Sequence, residues 1–189
     1  TPFGLLSGYY SDRYVDPVIM RSMDALLAFP SIVLALTVMA LLGSSLINVI
    51  LALSIVNIPV FARLVRGSVL SVKETDYIAS AKVAGSSDPK IILKHVLPNV
   101  LTPIIVQGTL VFAFAILAES ALSFLGVGTN PPNASWGLML REGKEYLDEA
   151  FWLSLFSGLA IMFSVLGLNF LGDALRDILD PQHTEEQMR

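Results

Sequence analysis

No cysteine occurs anywhere in this 189-residue chain. That excludes disulfide bridges, thiolate-held metals and a cysteine nucleophile. There are only two histidines, His95 and His183, far apart, so the ligand clusters that build zinc sites are missing too. Charge is also scarce. Asp, Glu, Lys and Arg make up 15% of the residues, where soluble domains carry about 25%. A phosphate-binding loop is absent: the one Gly-Lys pair, Gly143-Lys144, is followed by Glu145 and has no glycine five residues ahead of it. Neither a nucleophile–base pairing nor a metal-ligand spacing appears. These absences argue against an enzyme with a catalytic centre of its own, against a metal site and against a nucleic-acid partner. Energy for any work must come from elsewhere.

What the chain has instead is apolar sequence, 54% of its residues, with a mean hydropathy of +0.68. The net charge of −4 matters less than where the charges stand. Ala25 to Ala62 holds 38 residues without a charge, and Val96 to Ala118 and Ala150 to Gly172 hold 23 each. One crossing of a bilayer takes about 20 residues, so the first window holds two spans, parted near Gly43-Ser44-Ser45. The spacing predicts an all-α, multi-pass membrane protein of one domain. Its spans fall at about 26–43, 46–64, 99–121 and 151–171. The apolar start, Phe3-Gly4-Leu5-Leu6, lacks the basic front end of a signal peptide. Residues 1–8 therefore read as the tail of an earlier, truncated span.

Lys and Arg set the orientation. Arg63 to His95 carries six of them: Arg63, Arg66, Lys73, Lys82, Lys90 and Lys94. Ser123 to Glu149 carries two, Arg141 and Lys144, against Glu142, Glu145, Asp148 and Glu149. The first segment is expected on the cytoplasmic side and the second outside. Four spans then put residues 9–24 and the C-terminal tail inside as well. The outer loop is rich in turn formers from Gly126 to Gly137. Residues 137–149 suit a short interfacial helix that buries Leu138, Leu140 and Leu147.

The basic segment, about residues 73–97, has its own pattern. Gly85 can stop a first helix by taking the left-handed cap. Asp88-Pro89 reads as the N-cap and first position of a second. The result is a helix-turn-helix at the membrane surface, either a solvated topology loop or a docking element. Polar residues inside spans are costly and often functional. Asn57, Gln107, Glu119 and Asn169 are the candidates for a pathway or gate, with interhelical hydrogen bonds as the alternative for Asn57 and Gln107. For Glu119 the alternatives are a locally paired interfacial carboxylate or a hydrogen bond to the 124–137 loop. Pro30, Pro59 and Pro103 are expected to bend their helices. Arg63 and Arg66 are expected at a cytoplasmic helix end.

The segment from Asp76 to Asn99 resembles the cytoplasmic "EAA" loop of ABC importer permeases. Ala79-Ser80-Ala81 stands at the Glu-Ala-Ala triplet, with Ala79 replacing Glu and Ser80 the first Ala. Gly85 stands at the glycine and Leu97-Pro98 at the closing pair. Further runs point to one subfamily. Met20-Arg21-Ser22-Met23-Asp24, Ala28-Phe29-Pro30, Ala62-Arg63-Leu64-Val65-Arg66-Gly67, Ala121-Leu122-Ser123-Phe124-Leu125-Gly126, Ser135-Trp136-Gly137, Gly172-Asp173-Ala174-Leu175-Arg176-Asp177 and Asp180-Pro181 are similar to those of the dipeptide/oligopeptide/nickel permeases of the DppC and OppC type.

That resemblance implies a type I importer permease in a bacterial or archaeal cytoplasmic membrane. It implies a second related permease, ABC ATPase subunits that bind the ATP, and an extracytoplasmic substrate-binding protein. Ala79, Ser80, Ala81, Lys82, Gly85, Ser86, Asp88 and Lys90 would form the coupling loop. Ala81, Gly85 and Ser86 would stand at its centre, and Lys82 and Lys90 at its rim. The substrate stays open between di- or oligopeptides, nickel, glutathione and other small solutes. From another class, a passive channel or scaffold also fits the composition.

Overall fold

The computed structural model describes residues 1–11 and 14–179, and every regular element among them is helical. The helices are α1 Pro2–Tyr9, α2 Val15–Leu27, α3 Ser31–Leu42, α4 Leu46–Lys73, α5 Asp76–Val83, α6 Asp88–Ile91, α7 Leu97–Phe124, α8 Trp136–Gly143, α9 Leu147–Ala150 and α10 Trp152–Leu179. Three stretches are long and apolar enough to cross a membrane: α4, the continuous run Asp88–Phe124, and α10. The α2–α3 pair is a fourth if counted as one broken span. Their large side chains face outward, with Phe163 64% and Phe170 70% exposed. Such surfaces belong in lipid, which solvates apolar groups as well as a protein core does.

The expected first span, 26–43, is two helices. Pro30 lacks an amide hydrogen and sits extended (φ −55°, ψ 132°) ahead of α3. A proline also pushes the residue before it, here Phe29, out of the helical region. Pro30 therefore separates helices where a bend was expected. Pro59 and Pro103 lie inside the unbroken helices α4 and α7. Between α3 and α4, Gly43 takes φ +83°. Asn48 then binds the turn back on itself: its Nδ2 donates to Leu42 O (2.7 Å) and Gly43 O (2.9 Å), and its backbone N–H donates to Ser45 Oγ (3.1 Å).

The chain divides into two compact units. One comprises Thr1–Ala28, Ile58–Gly108 and the chain from Asp173; the other comprises Phe29–Asn57 and Thr109–Gly172. The core of the first is Tyr9, Val65, Val69, Ile78, Ile91, Val96 and Val100, drawn from α1, α4, α5, α6 and α7. Here α1 lies close on α4 because Gly4 and Gly8 have no side chains. A Cβ on Gly4 would stand 2.5 Å from Ala62 O, and one on Gly8 would stand 2.7 Å from Val69 Cβ. Small residues four apart allow this approach between helices in membranes. The core of the second unit is Ala35, Met39, Val49, Ala52, Leu53, Val56, Ala118 and Leu122. The Asp180-Pro181 pair, His183 and the C-terminal tail lie outside the described residues.

Candidate functional site

The basic segment forms a helix-turn-helix. Helix α4 does not stop near residue 64 but runs to Lys73. There the Thr75 hydroxyl donates to Val72 O (2.6 Å) and closes its end. Helix α5 follows, and Gly85 ends it with φ +78°. The amide of Gly85 donates to Lys82 O (2.9 Å) and that of Ser86 to Ala81 O (3.1 Å). This paired closure is the Schellman motif. The next helix starts one residue earlier than expected, with Ser87 at the N-cap, Asp88 at the first position and Pro89 behind it. The Asp88 carboxylate does not cap its own helix. It accepts the Tyr9 hydroxyl at 2.6 Å, while still placing negative charge at a helix N-terminus.

The second helix is also no separate piece. Residues Asp88–Phe124 form one continuous helix through a π turn at Ile92–Val96, where the Leu97 amide reaches back to Ile92 O. Pro98 follows at once and has no N–H to offer Lys94 O. The wider turn eases the clash of its ring with that carbonyl. Asn99 Nδ2 donates to His95 O (2.6 Å). The second half of the helix-turn-helix is therefore the first turns of that long helix.

Ile78 and Ile91 are fully buried in the first unit's core and fix the element to the chain. Ala81 packs inward on the same core, so it does not stand at the centre of an outer face. Lys82 leans inward too, its Nζ 5.5 Å from the Tyr9 ring centroid. The exposed residues of α5 are Asp76, Tyr77, Ala79, Ser80, Lys82 and Val83, with Ala84 exposed at its C-cap. Val83 is 90% exposed at the helix tip. Gly85, Asp88 and Lys90 are exposed and Ser86 is half-buried.

Below this element lies an ion-pair network that sequence reading missed. Arg66 donates to both Asp16 oxygens, Nε–Oδ1 at 2.6 Å and Nη2–Oδ2 at 2.5 Å. Buried Ser7 donates to Asp16 as well. Arg63 meets Asp24 at 2.6 Å. Two of the quoted runs, one ending in Asp24 and one holding Arg63 and Arg66, thus join in one place. Both arginines sit within α4 rather than at its end.

The second unit holds Glu119. Its Oε1 accepts the Ser123 hydroxyl (2.6 Å) and the Thr129 hydroxyl (2.9 Å), and the Thr129 amide donates to Ser123 Oγ (2.9 Å). The loop after α7 is thereby pinned to its last turn. Gly126, at φ +83°, closes that turn with the same two-bond pattern as Gly85. Gly137 lets α8 approach α7 so closely that a Cβ would stand 2.2 Å from Ser120 O. The interfacial helix begins at Trp136, with Ser135 Oγ accepting the Leu138 amide (3.1 Å). It breaks into α8, a 3-10 turn and α9. A cavity of about 460 Å³ opens here, lined by Val49, Ile50, Phe112, Glu119, Trp136 and Met139 among others, with Glu119 its one charged group. Asn57 does not line it, and its Nδ2 donates to Leu53 O of its own helix (2.8 Å). Gln107 and Asn169 are half-buried and also stand away from it.

Apolar helices with lipid-facing side chains, and a capped polar element running into one of them, define a polytopic helical membrane protein. The chain belongs to the family described as binding-protein-dependent transport system inner membrane component, whose model matches residues 1–184. It is 51% identical over 179 residues to a putative peptide transport system permease protein of Brucella suis, covering 95% of this chain and 60% of that one. It is 50% identical over 182 residues to a dipeptide transport system permease protein of Alkalihalophilus pseudofirmus, covering 96% and 60%. A glutathione transport system permease protein of Pectobacterium atrosepticum is 44% identical over 182 residues, with the same coverage. The chain thus spans about 60% of the length of these relatives.

Proposed function

We propose that this chain is a permease subunit of an ABC importer for di- or oligopeptides, driven by ATP hydrolysis in separate subunits. The printed names of the relatives support the substrate class, and glutathione, itself a tripeptide, falls within it. In this reading the chain crosses the membrane four times, through the broken α2–α3 pair, α4, the helix Asp88–Phe124 and α10. The 73–97 element and the C-terminus are cytoplasmic, and the 124–149 segment faces outward toward a substrate-binding protein. A second, related permease completes the pathway. Glu119 serves on the outer side, where it holds the 125–135 loop against the span.

One observation carries the coupling claim: a 90%-exposed valine, Val83, at the tip of a helix anchored by the fully buried Ile78. An exposed apolar anchor among small residues suits insertion into a cleft on another protein. The docking face is then Ser80, Val83 and Ala84 with Gly85 behind them. Because α6 runs on into α7, closure of two ATPases would move the span directly, as a rigid element. A single cysteine at Val83 in this cysteine-free chain, in the assembled importer, is expected to crosslink to a cysteine in the ATPase cleft, with a yield that changes on adding ATP. A wild-type-like complex giving no crosslink from Ser80, Val83 or Ala84 would refute the docking face.

A further inference from the structure

Tyr9 stands where four helix ends meet. It closes α1, which is held on α4 through Gly4 and Gly8. Its ring is 5% exposed, although a phenol at the end of a short helix could as well have pointed to water. Lys73, the last residue of α4, donates to Tyr9 O (2.8 Å) and Ser11 Oγ (2.9 Å) and has its Nζ 5.9 Å from the Tyr9 ring centroid. Lys82, near the end of α5, approaches the ring at 5.5 Å. Asp88, the first residue of α6, accepts the hydroxyl at 2.6 Å. Two cations and one carboxylate thus converge on a single ring, giving cation–π contacts and a charge-assisted hydrogen bond. The turn Gly85–Ser87 lies between the Lys82 and Asp88 contacts, so Tyr9 bridges the turn of the helix-turn-helix.

We propose that Tyr9 is a positioning residue for energy coupling, a clamp that makes α5 and α6 move as one body with α1 and α4. The proposal rests on the docking reading above and adds the part that transmits the force. Without the clamp, a push on Val83 is absorbed at Gly85. With it, the push reaches the spans. Tyr9 sits outside the outward-facing residues of α5, so altering it leaves ATPase docking in place.

The test uses the assembled importer. In Tyr9→Phe the ring stays and only the hydroxyl is lost. Hydrogen exchange of the amides from Ile91 to Val96, just past the released Asp88, is expected to speed up about ten-fold, the size of change given by withdrawing one hydrogen bond to a charged group. ATP hydrolysis and the Val83 crosslink should persist while peptide uptake per ATP falls severalfold. Asp88→Leu should lower that ratio in the same way, and the double variant should be no worse than either single one, since both remove one interaction. An unchanged ratio in Tyr9→Phe, with the Val83 crosslink intact, overturns the clamp alone. Losses that simply multiply in the double variant overturn it too. Absence of the crosslink in the unaltered complex brings down the docking reading and the clamp with it.

Discussion

Gly85 carries a conformation that only glycine adopts at little cost, and it carries nothing else. With φ at +78° it has open space around the position a Cβ would fill. A substitution there is penalised by backbone strain alone, about 1–2 kcal/mol. Gly85→Ala and Gly85→Val should therefore leave membrane insertion intact and reduce uptake, the branched side chain more severely, while Gly85→Asn should come closest to wild type. Uptake assays at matched membrane abundance check the order, and equal uptake by all three would contradict it. Glu119 is the opposite case, a residue defined by its partners. Glu119→Ala would leave the 2%-exposed Thr129 without its acceptor, a cost of about 1–3 kcal/mol. A lower melting temperature and faster proteolysis between residues 125 and 135 are expected. Unchanged cleavage would mean that the hydrogen bonds do not hold the loop. At this scale Gly85 was legible because one residue type suffices to mark a cap. The Tyr9–Asp88 bond was not, because its partners are 79 positions apart and nothing local links them.

At the scale of elements, charge-free windows located α4, α7 and α10 because a bilayer demands length and apolarity together. The helices run past those windows. Helix α4 continues to Lys73 since nothing between Arg63 and Lys73 forces it to stop, and Arg63 and Arg66 find carboxylates on α2. The π turn at Ile92–Val96 escapes pattern reading because one widened turn hardly disturbs a helical period. Its clue was Pro98, whose missing N–H must be accommodated one turn earlier. The Phe29-Pro30 break was visible as a proline, but a bend and an end differ only in what the preceding residue does. The paired motif runs around Asp24 and Arg63 were each legible, whereas their salt bridge needed the fold. For topology, single cysteines at Ser86 and Asn133 should label from opposite faces of the membrane with an impermeant thiol reagent. Labelling of both from one face would overturn the assigned orientation.

For the whole molecule, composition alone was enough to read a helical membrane protein, and the family match agrees with it. Transport, its direction and its cargo are a different matter. In the proposed importer they depend on partner subunits, and the features that point to these are indirect: an exposed Val83, a charged group in an apolar cavity, an excess of Lys and Arg in one segment. The central claim is that this chain turns ATP hydrolysis elsewhere into movement of a peptide through its spans. Uptake of a labelled dipeptide into proteoliposomes containing the full-length importer tests it most directly, with ATP supplied on the ATPase side and binding protein on the other. The account predicts accumulation against a gradient that requires both additions. Equilibration of the peptide without ATP, stopping at equal concentrations, would contradict it and identify a passive channel.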